Sequence, residues 1–296
     1  MIIERFPKNP LSYLSHSKLS KFIQSPWAFA TEYILGRKKK STYQMDLGKK
    51  IHLALLEPKA FLERFVVIPK FQGVGSRKAK AEFIEKLPKD SVYVTEEERQ
   101  NIEWQLDSLI SHPLAMKMIQ GGLPEQKILV SGKELGTDLD ILAIPDLVTR
   151  HNEIIDFKTT SLINLMQFNK DVYYRNYWTQ LSLYRYALSK ETGKKEALID
   201  CWILLSQTVS PWDCVVMPVE FSIVDYGRDK LLRVIESLSI KLEQYDTYFT
   251  KTNTRPQDDI IKLRELFPGI NDDKLAPVSF PSYIIDTILS ENQEGE

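Results

Sequence analysis

The stretch EIIDFKTT, residues 153–160, places an aspartate and a lysine two positions apart in an otherwise apolar segment. Side chains of a β-strand alternate between its two faces, so Asp156 and Lys158 should share one face while Ile155 and Phe157 occupy the other. Burying one charge costs free energy, and a buried ion pair seldom recovers the lost hydration. The spacing therefore indicates either a structural ion pair or a site where both charges meet a ligand.

A second carboxylate stands ten residues earlier, in the Pro145-Asp146 pair of ILAIPDLV. If the intervening TRHNE turn folds strand on strand, Asp146 approaches Asp156. Two adjacent carboxylates repel each other unless a cation lies between them, and Mg²⁺ prefers such oxygen ligands. The Lys158 ammonium could then hold a nucleophilic water or stabilise the charge that develops on a phosphate. This arrangement suits hydrolysis of a phosphodiester.

Other acidic and histidine residues carry weaker signals. Glu125 precedes the first β-rich run, where it either adds a carboxylate to the site or ends a loop, and we expect the loop. His52 lies on an apolar helix face, where a histidine taken alone is more often a packed core residue than a ligand. We expect no functional role for His112, which precedes a proline, or for His151 in a predicted turn.

Helix signals dominate the first 120 residues and the segment after residue 220. Predicted helices span residues 15–25 with Ser15 or Ser17 as N-cap, 26–36 with Gly36 just past the end, 46–58 with Asp46 as N-cap, 95–120 with Thr95 and Glu98 in capping-box spacing, and 221–249. Residues 70–90 predict a mobile basic loop that leads into a helix. The end, from residue 252, predicts irregular structure with short helices.

Between these helical parts, the chain is rich in β-forming residues. QKILVSG, TDLDILAIPDLV and EIIDFKTT predict an antiparallel meander, followed by a helix around WTQLSLYRYALSKETG and two further strands. No linker divides the chain, so we expect a single domain over residues 1–296. Its parts are a mainly helical segment (1–120), a catalytic segment of meander, helix and strands (121–225) and a C-terminal helical extension (226–296).

Composition narrows the possible partners and cofactors. A formal net charge of −1 does not steer polyanions, so a nucleic-acid partner requires locally concentrated basic residues. The run Arg37, Lys38, Lys39 and Lys40 is either such a phosphate contact or a solvated loop at a helix end. The two cysteines cannot supply a four-cysteine zinc or iron–sulfur site. No apolar run approaches the roughly 18 residues of a membrane span, so we expect a cytoplasmic protein without a membrane partner.

The order of these residues resembles the PD-(D/E)XK nuclease superfamily, whose signature matches Pro145-Asp146 followed by Asp156-Phe157-Lys158. Two helical motifs resemble its RecB-like branch. Gly48, His52 and Leu55-Leu56 match G-x-x-x-H-x-x-L-L, and Gln180 and Tyr184 match Q-x-x-x-Y. At positions i and i+4, the latter two share one helix face.

The N-terminal part strengthens the same resemblance. Ser15, Ser17 and Leu19, followed by Ser25-Pro26 and Phe29, match an opening element of such nucleases. Over residues 12–190 the order of motifs is most similar to the RecE-type nuclease domains of exodeoxyribonuclease VIII. The implied fold is α/β, a restriction-endonuclease-like core with a mixed central sheet flanked by helices, plus extra N- and C-terminal helices.

The resemblance also implies roles for the site residues. His52, Asp146, Asp156 and the backbone carbonyl of Phe157 would hold Mg²⁺, with Mn²⁺ able to substitute and no iron–sulfur cluster. Lys158 would orient or activate the attacking water. Gln180 and Tyr184 would support the site or touch the DNA strand. Thr159 and Thr160 could hydrogen-bond a phosphate, although β-propensity alone also accounts for them.

The implied activity is that of an exodeoxyribonuclease that degrades double-stranded DNA from its ends, in the 5′→3′ direction. The resemblance further implies a homo-oligomeric ring, such as a tetramer, and a single-strand annealing recombinase as partner. Two alternatives stay open. One is a RecB-like endonuclease or a single-strand or flap nuclease, and the other is a DNA-end-binding protein that keeps the fold without catalysis.

Overall fold

β-Strands form three sheets in the computed structural model, which describes residues 11–37, 41–73 and 75–269. The strands are β1 (Tyr13–Leu14), β2 (Phe65–Val67), β3 (Val92–Val94), β4 (Leu123–Pro124), β5 (Ile128–Ser131), β6 (Asp140–Ala143), β7 (Leu147–Val148), β8 (Ile154–Thr160), β9 (Cys201–Gln207) and β10 (Cys214–Pro218). The largest sheet has the order β10-β9-β8-β7-β4. Because β8 and β9 run parallel while the other neighbours are antiparallel, this sheet is mixed, as predicted.

Helices cover the sheets and form the C-terminal part of the described chain. They are α1 (His16–Gln24), α2 (Pro26–Phe29), α3 (Tyr43–Leu56), α4 (Pro58–Arg64), α5 (Ser76–Glu85), α6 (Glu96–Ser111), α7 (Pro113–Ile119), α8 (Leu165–Tyr174), α9 (Tyr177–Thr192), α10 (Phe221–Thr252) and α11 (Ile260–Leu266). None of the helices in this part of the chain combines the length and apolarity that a membrane crossing requires.

The predicted meander is divided between two sheets. Strands β5 and β6 pair antiparallel and join β1 in a three-stranded sheet, whereas β7 and β8 belong to the central sheet. The run TDLDILAIPDLV therefore forms two strands and not one. Pro145 lies in the break between them, where its ring offers no N–H to a strand ladder. The division places Asp146 directly before β7.

Two predicted helix boundaries are wrong. The helix that carries His52 begins at Tyr43, because the Thr42 hydroxyl accepts a hydrogen bond from the Met45 amide at 3.3 Å and caps it. Asp46 is therefore in the first turn, where a carboxylate is also favourable. The predicted helix over 95–120 is broken at Pro113, which cannot continue the hydrogen-bond ladder.

Several local predictions are confirmed. Ser15 is the N-cap of α1, and the capping box of Thr95 and Glu98 is present at the start of α6. The second predicted helix consists of α2 and a π-helical turn over Ala30–Ile34, followed by Gly36 at φ +69°. Helix α5 lies in the stretch predicted as a loop leading into a helix, and α8 is an element that the sequence did not predict.

Both faces of the central sheet are buried. On one face, Ile155 and Phe157 pack with Ile51 of α3. On the other face, Ile154 and Ile203 pack with α9, which buries side chains on all sides. A third cluster packs α1 and α2 against α10. The strand that carries Asp156 and Lys158 is thus held between two helices. Helix α3 packs on one face of this strand and α9 packs on the other.

Candidate functional site

A cleft of about 660 Å³ opens between α3 and the C-terminal half of β8. Gly48 permits this geometry, because a Cβ atom at that position would lie 3.2 Å from Thr159 Oγ1. One helical turn later, the same face of α3 carries His52. The cleft is lined by Gln44, Met45, Gly48, Lys49, His52, Leu53, Glu57, Glu125, Asp146, Phe157, Lys158, Thr159, Arg175 and Tyr177.

His52 lies between two carboxylates at one side of this cleft. Its Nδ1 is 3.1 Å from Glu125 Oε1, and its Nε2 is 3.2 Å from Asp146 Oδ1. Among the described residues, these three side chains offer one ligand atom each within 4.8 Å of one another. One imidazole and two carboxylates are a donor set suited to a divalent cation.

Glu125 lies in the turn after β4, as expected, but its side chain also joins the cluster, which the loop interpretation did not expect. Strand β4 pairs with β7, and the Glu125 amide continues that ladder by donating to the Asp146 carbonyl at 3.0 Å. This pairing brings the Glu125 side chain beside His52. The sequence signal for it was weak, because β4 has only two residues and Glu125 has a left-handed backbone with φ +47°. Its position just before the first β-rich run was the only indication.

The electrostatics of the cluster favour the charged forms of its members. Burial lowers the pKa of His52, but hydrogen bonds with Asp146 and Glu125 outweigh it and raise the pKa to about 9. Burial raises the pKa of Asp146, yet His52, Lys158 and the Phe157 amide together bring it below its usual value. An imidazolium therefore lies between the two carboxylates at neutral pH. A divalent cation bound there must displace its proton, because imidazole binds metals as the neutral ring.

Asp156 is fully buried and lacks ordinary hydrogen-bond partners. Its side chain is 0% exposed, and neither carboxylate oxygen accepts a hydrogen bond of good geometry from the residues that the structure describes. Lys158 Nζ lies 2.5 Å from Oδ2 as an ion-pair partner. Burial raises the pKa of Asp156 to about 6, against the attraction of Lys158. A buried carboxylate with free lone pairs fits a cation ligand, although Asp156 is not a member of the three-residue cluster.

Lys158 is held by side chains from the helix that follows β8. Its Nζ donates to Gln180 Oε1 at 3.3 Å, and Gln180 Nε2 donates to the Tyr184 hydroxyl at 2.8 Å. Tyr184 is only 7% exposed, so it supports this chain from the core and does not offer a surface for DNA. The Tyr177 ring lies 4.6 Å below the ammonium. Burial lowers the pKa of Lys158, but Asp156 and Asp146 outweigh that effect and raise it.

Phe157 connects the two halves of the site. Its amide donates to Asp146 Oδ2 at 2.6 Å, and its ring packs in the core 5.6 Å from the His52 ring. The predicted alternation is therefore present, with Phe157 facing α3 while Asp156 and Lys158 face α9. The metal-binding role of the Phe157 carbonyl stays a prediction.

The residues predicted to contact DNA are dispersed. Thr159 lines the cleft, but the Thr160 hydroxyl is engaged in a local turn, where it donates to the Leu162 carbonyl at 2.9 Å. Arg37 is exposed and is not among the cleft-lining residues. Lys38, Lys39 and Lys40 lie outside the described residues. Arg175, which the sequence did not single out, supplies a cation to the cleft wall.

The other histidines occupy different environments. His112 caps α7 by accepting a hydrogen bond from the Ala115 amide at 3.3 Å, and His151 contacts Arg150 in a turn, so neither joins the cluster. His16 was missed by the sequence interpretation. Its Nε2 lies 3.4 Å from Thr179 Oγ1, and burial, followed by the charge of Lys158, lowers its pKa to about 4.

A comparison with solved structures supports the fold. A crystal structure from Eubacterium rectale, named "Putative exonuclease", superposes with a TM-score of 0.56 at 14% sequence identity, covering 79% of this chain and 85% of that chain. At this identity the likeness concerns the fold alone. Among curated proteins, no sequence match is found.

A family model supplies the more specific relationship. The model described as "PDDEXK-like domain of unknown function (DUF3799)" matches residues 15–245, a range that contains every residue of the cluster and of the Lys158 chain. The match extends over most of the sequence, from the N-cap of α1 into α10. We conclude that the chain belongs to this family of PDDEXK-like domains and has the PD-(D/E)XK nuclease fold.

Proposed function

We propose that the protein is a metal-dependent deoxyribonuclease that hydrolyses phosphodiester bonds of double-stranded DNA from its ends. The observation that carries the proposal is the cluster of His52, Glu125 and Asp146, which shares one cleft with the Lys158 ammonium. Hydrolysis of a phosphodiester builds up negative charge on the phosphate. A bound cation and a fixed ammonium in the same cleft would both stabilise that charge. The family's nuclease fold supports the same conclusion.

The donor set fits Mg²⁺, for which Mn²⁺ should substitute. His52, Glu125 and Asp146 would hold the ion, and the Asp156 carboxylate and the Phe157 carbonyl are further candidate ligands. A bound divalent ion supplies Lewis acidity toward the phosphate and lowers the pKa of a water. When the ion is bound, the buried carboxylate of Asp156 has two positively charged neighbours, the ion and the Lys158 ammonium.

Lys158 contributes charge and orientation. Its raised pKa means that the side chain is an ammonium at neutral pH, so it does not serve as the general base. Its Nζ forms an ion pair with Asp156 and donates to Gln180, and an ammonium with three N–H bonds can also donate to a water or a phosphate oxygen at the cleft. The interpretation that Lys158 orients the attacking water is therefore favoured over direct activation.

The same cleft offers groups for the DNA backbone. Lys49 and Arg175 place positive charge on its walls, and Thr159 adds a hydroxyl. Local cations of this kind are what a chain with net charge −1 needs to bind a polyanion. The 5′→3′ direction, a homo-oligomeric ring such as a tetramer and a single-strand annealing partner belong to the proposal through the resemblance of the ordered motifs to RecE-type nucleases.

Digestion of end-labelled linear duplex tests the proposal. Nucleotide release should require Mg²⁺ or Mn²⁺, stop in EDTA and proceed from 5′ ends, with 5′-phosphate and 5′-hydroxyl substrates compared. Lys158→Ala should lower the rate by about 100-fold or more, the scale expected for losing one group that stabilises developing charge. Lys251→Ala, at an exposed lysine near the end of α10, is the matched control. Full activity of Lys158→Ala would contradict the proposal.

Two further measurements separate the alternatives. Covalently closed circular duplex should be spared by an exonuclease, whereas nicking of the circle would indicate an endonuclease. Titration calorimetry should detect binding of Mg²⁺ or Mn²⁺ to the protein. DNA-end binding without metal binding or cleavage would instead indicate a protein that keeps the fold without catalysis.

A further inference from the structure

Three aromatic rings form a parallel stack across α8, α9 and α10. Tyr173 and Trp178 have ring centroids 6.0 Å apart with planes at 5°, and Trp178 and Tyr226 have centroids 5.0 Å apart with planes at 15°. The central indole is 3% exposed, whereas Tyr173 is 57% and Tyr226 56% exposed. The central indole is therefore buried, while both tyrosines that stack on it reach solvent.

Close packing of the helices fixes the stack. A Cβ atom on Gly227 would lie 2.4 Å from the Trp178 carbonyl oxygen, so only glycine lets α10 approach α9 this closely. Trp178 Nε1 donates to the Tyr173 carbonyl at 3.1 Å. Lys230 Nζ lies 4.9 Å from the centre of the indole ring and donates to Asn176 Oδ1 at 3.4 Å. The rings are thus held in place before any partner binds.

The stack adjoins the wall of the cleft. Arg175 and Tyr177, which lie between Tyr173 and Trp178 in the sequence, both line the cleft. Tyr177 also packs beneath the Lys158 ammonium. A polymer that is bound in the cleft and extends past this wall would reach these rings.

We infer that this stack binds unpaired nucleobases of a DNA strand that leaves or enters the cleft. The inference rests on the proposed function, since that function puts DNA in the cleft. Exposed aromatic faces bind bases of any sequence by stacking, and a duplex hides its base faces, so the partner must be single-stranded. The Lys230 ammonium beside the indole and Arg175 in the adjoining cleft wall suit the intervening phosphates better than they suit an apolar protein surface.

Fluorescence anisotropy with a labelled single-stranded oligothymidine tests the inference. It is measured in EDTA so that binding is separated from cleavage, and a blunt duplex is measured in parallel. Tyr173→Leu and Tyr226→Leu should each weaken single-strand binding by about 5- to 150-fold, the range for losing one stacked base, and should weaken duplex binding less. Tyr173→Phe and Tyr226→Phe keep the ring and should bind as the wild type does.

Matched controls and a second readout make the outcomes distinct. Tyr93→Leu removes an exposed tyrosine on β3 and should leave binding unchanged. Oligothymidine should also quench the tryptophan fluorescence of the wild type, and less so in the two leucine variants. Unchanged single-strand binding in both folded leucine variants would overturn the inference. It would indicate instead that the exposed rings contact a protein partner.

The cleavage assay is run separately on the same proteins. If the wild type cleaves duplex DNA but the leucine variants bind single strands normally, the stack inference fails and the nuclease proposal stands. If single-strand binding depends on the rings but no cleavage occurs, the nuclease proposal fails and the stack stands as a nucleic-acid site.

Discussion

The His52 imidazole lies between two carboxylates that both stabilise its proton. Its folded-state pKa of about 9 exceeds the ordinary value of 6.5. A group whose pKa is raised by folding stabilises the protein fully below its unfolded-state pKa, and loses that effect as the pH rises through the folded-state pKa. The relevant window is therefore pH 6.5 to 9.

Replacing His52 should affect stability in a pH-dependent manner. In EDTA, His52→Gln should reduce the free energy of unfolding more at pH 6 than at pH 10. The difference between the two losses should be about 3 kcal/mol, the value of the pKa shift as free energy. Urea denaturation of both proteins at the two pH values measures it. Equal losses at pH 6 and pH 10 would show that the proton on His52 is not stabilised by its neighbours.

Glu125 should be required for metal binding. Glu125→Gln removes one carboxylate from the cluster, so the affinity for Mn²⁺ should fall by about tenfold or more, which titration calorimetry can measure. Glu57→Gln is the matched control, because Glu57 lines the same cleft outside the cluster. A similar decrease in both variants would indicate a general effect of cleft charge and not a ligand role.

At the scale of elements, His52, Gln180 and Tyr184 were assigned through their match to the helical motifs of the RecB-like branch, and helical spacing added that Gln180 and Tyr184 share one face. Residues four positions apart share a helix face, and the structure brings Gln180 and Tyr184 into one hydrogen-bonded chain with Lys158. Glu125 could not be assigned in this way. Its place depends on β4, a two-residue strand whose pairing with β7 is a tertiary contact without a local pattern.

Helix boundaries were also predictable only where one local signal was unambiguous. The capping box at Thr95 is a local signal and was predicted, whereas the N-cap of α3 was predicted four residues late, at Asp46 and not at Thr42, because both residues are plausible caps. Pro113 is a local signal for a helix break, but the helical pattern on both sides of it predicts one continuous helix through residue 120.

The contact between α9 and α10 gives a prediction about packing. Gly227→Ala places a methyl group against the Trp178 backbone, which cannot move away as a flexible side chain would. It should lower the free energy of unfolding by about 1 to 3 kcal/mol, the usual effect of overpacking, measured by urea denaturation. Ser237→Ala, at an exposed position of the same helix, should be neutral or slightly stabilising. Equal stability of the two variants would contradict the close approach.

At the scale of the whole molecule, the α/β fold was predictable from the order of motifs, because each motif requires its own element in its own place. The division of the β-strands among three sheets was not predictable. Strands β1, β2 and β3 have two or three residues each and are defined by their partners more than by their own sequences.

Metal binding should stabilise the whole fold, because the cluster joins residues from α3, the segment after β4 and the segment before β7. Mn²⁺ at a hundred times its Kd should raise the free energy of unfolding by about 2.7 kcal/mol, provided that the unfolded chain does not bind it. Chemical denaturation with Mn²⁺ and with EDTA measures this difference. Asp146→Asn should remove most of the gain, and a gain of wild-type size in that variant would place the ion elsewhere.

The hydrogen bond from the Phe157 amide to Asp146 also bears on aggregation. Strand β7 covers β8 only opposite Ile154 and Ile155, so beyond that point the Asp146 carboxylate, and not a neighbouring strand, satisfies the Phe157 N–H. An uncovered strand edge with a free donor is a template for pairing with another chain. We therefore expect Asp146 to disfavour intermolecular strand addition if this edge becomes exposed. An inactive variant is better made as Asp146→Asn, which keeps an acceptor there, than as Asp146→Ala, which leaves the edge open to self-association.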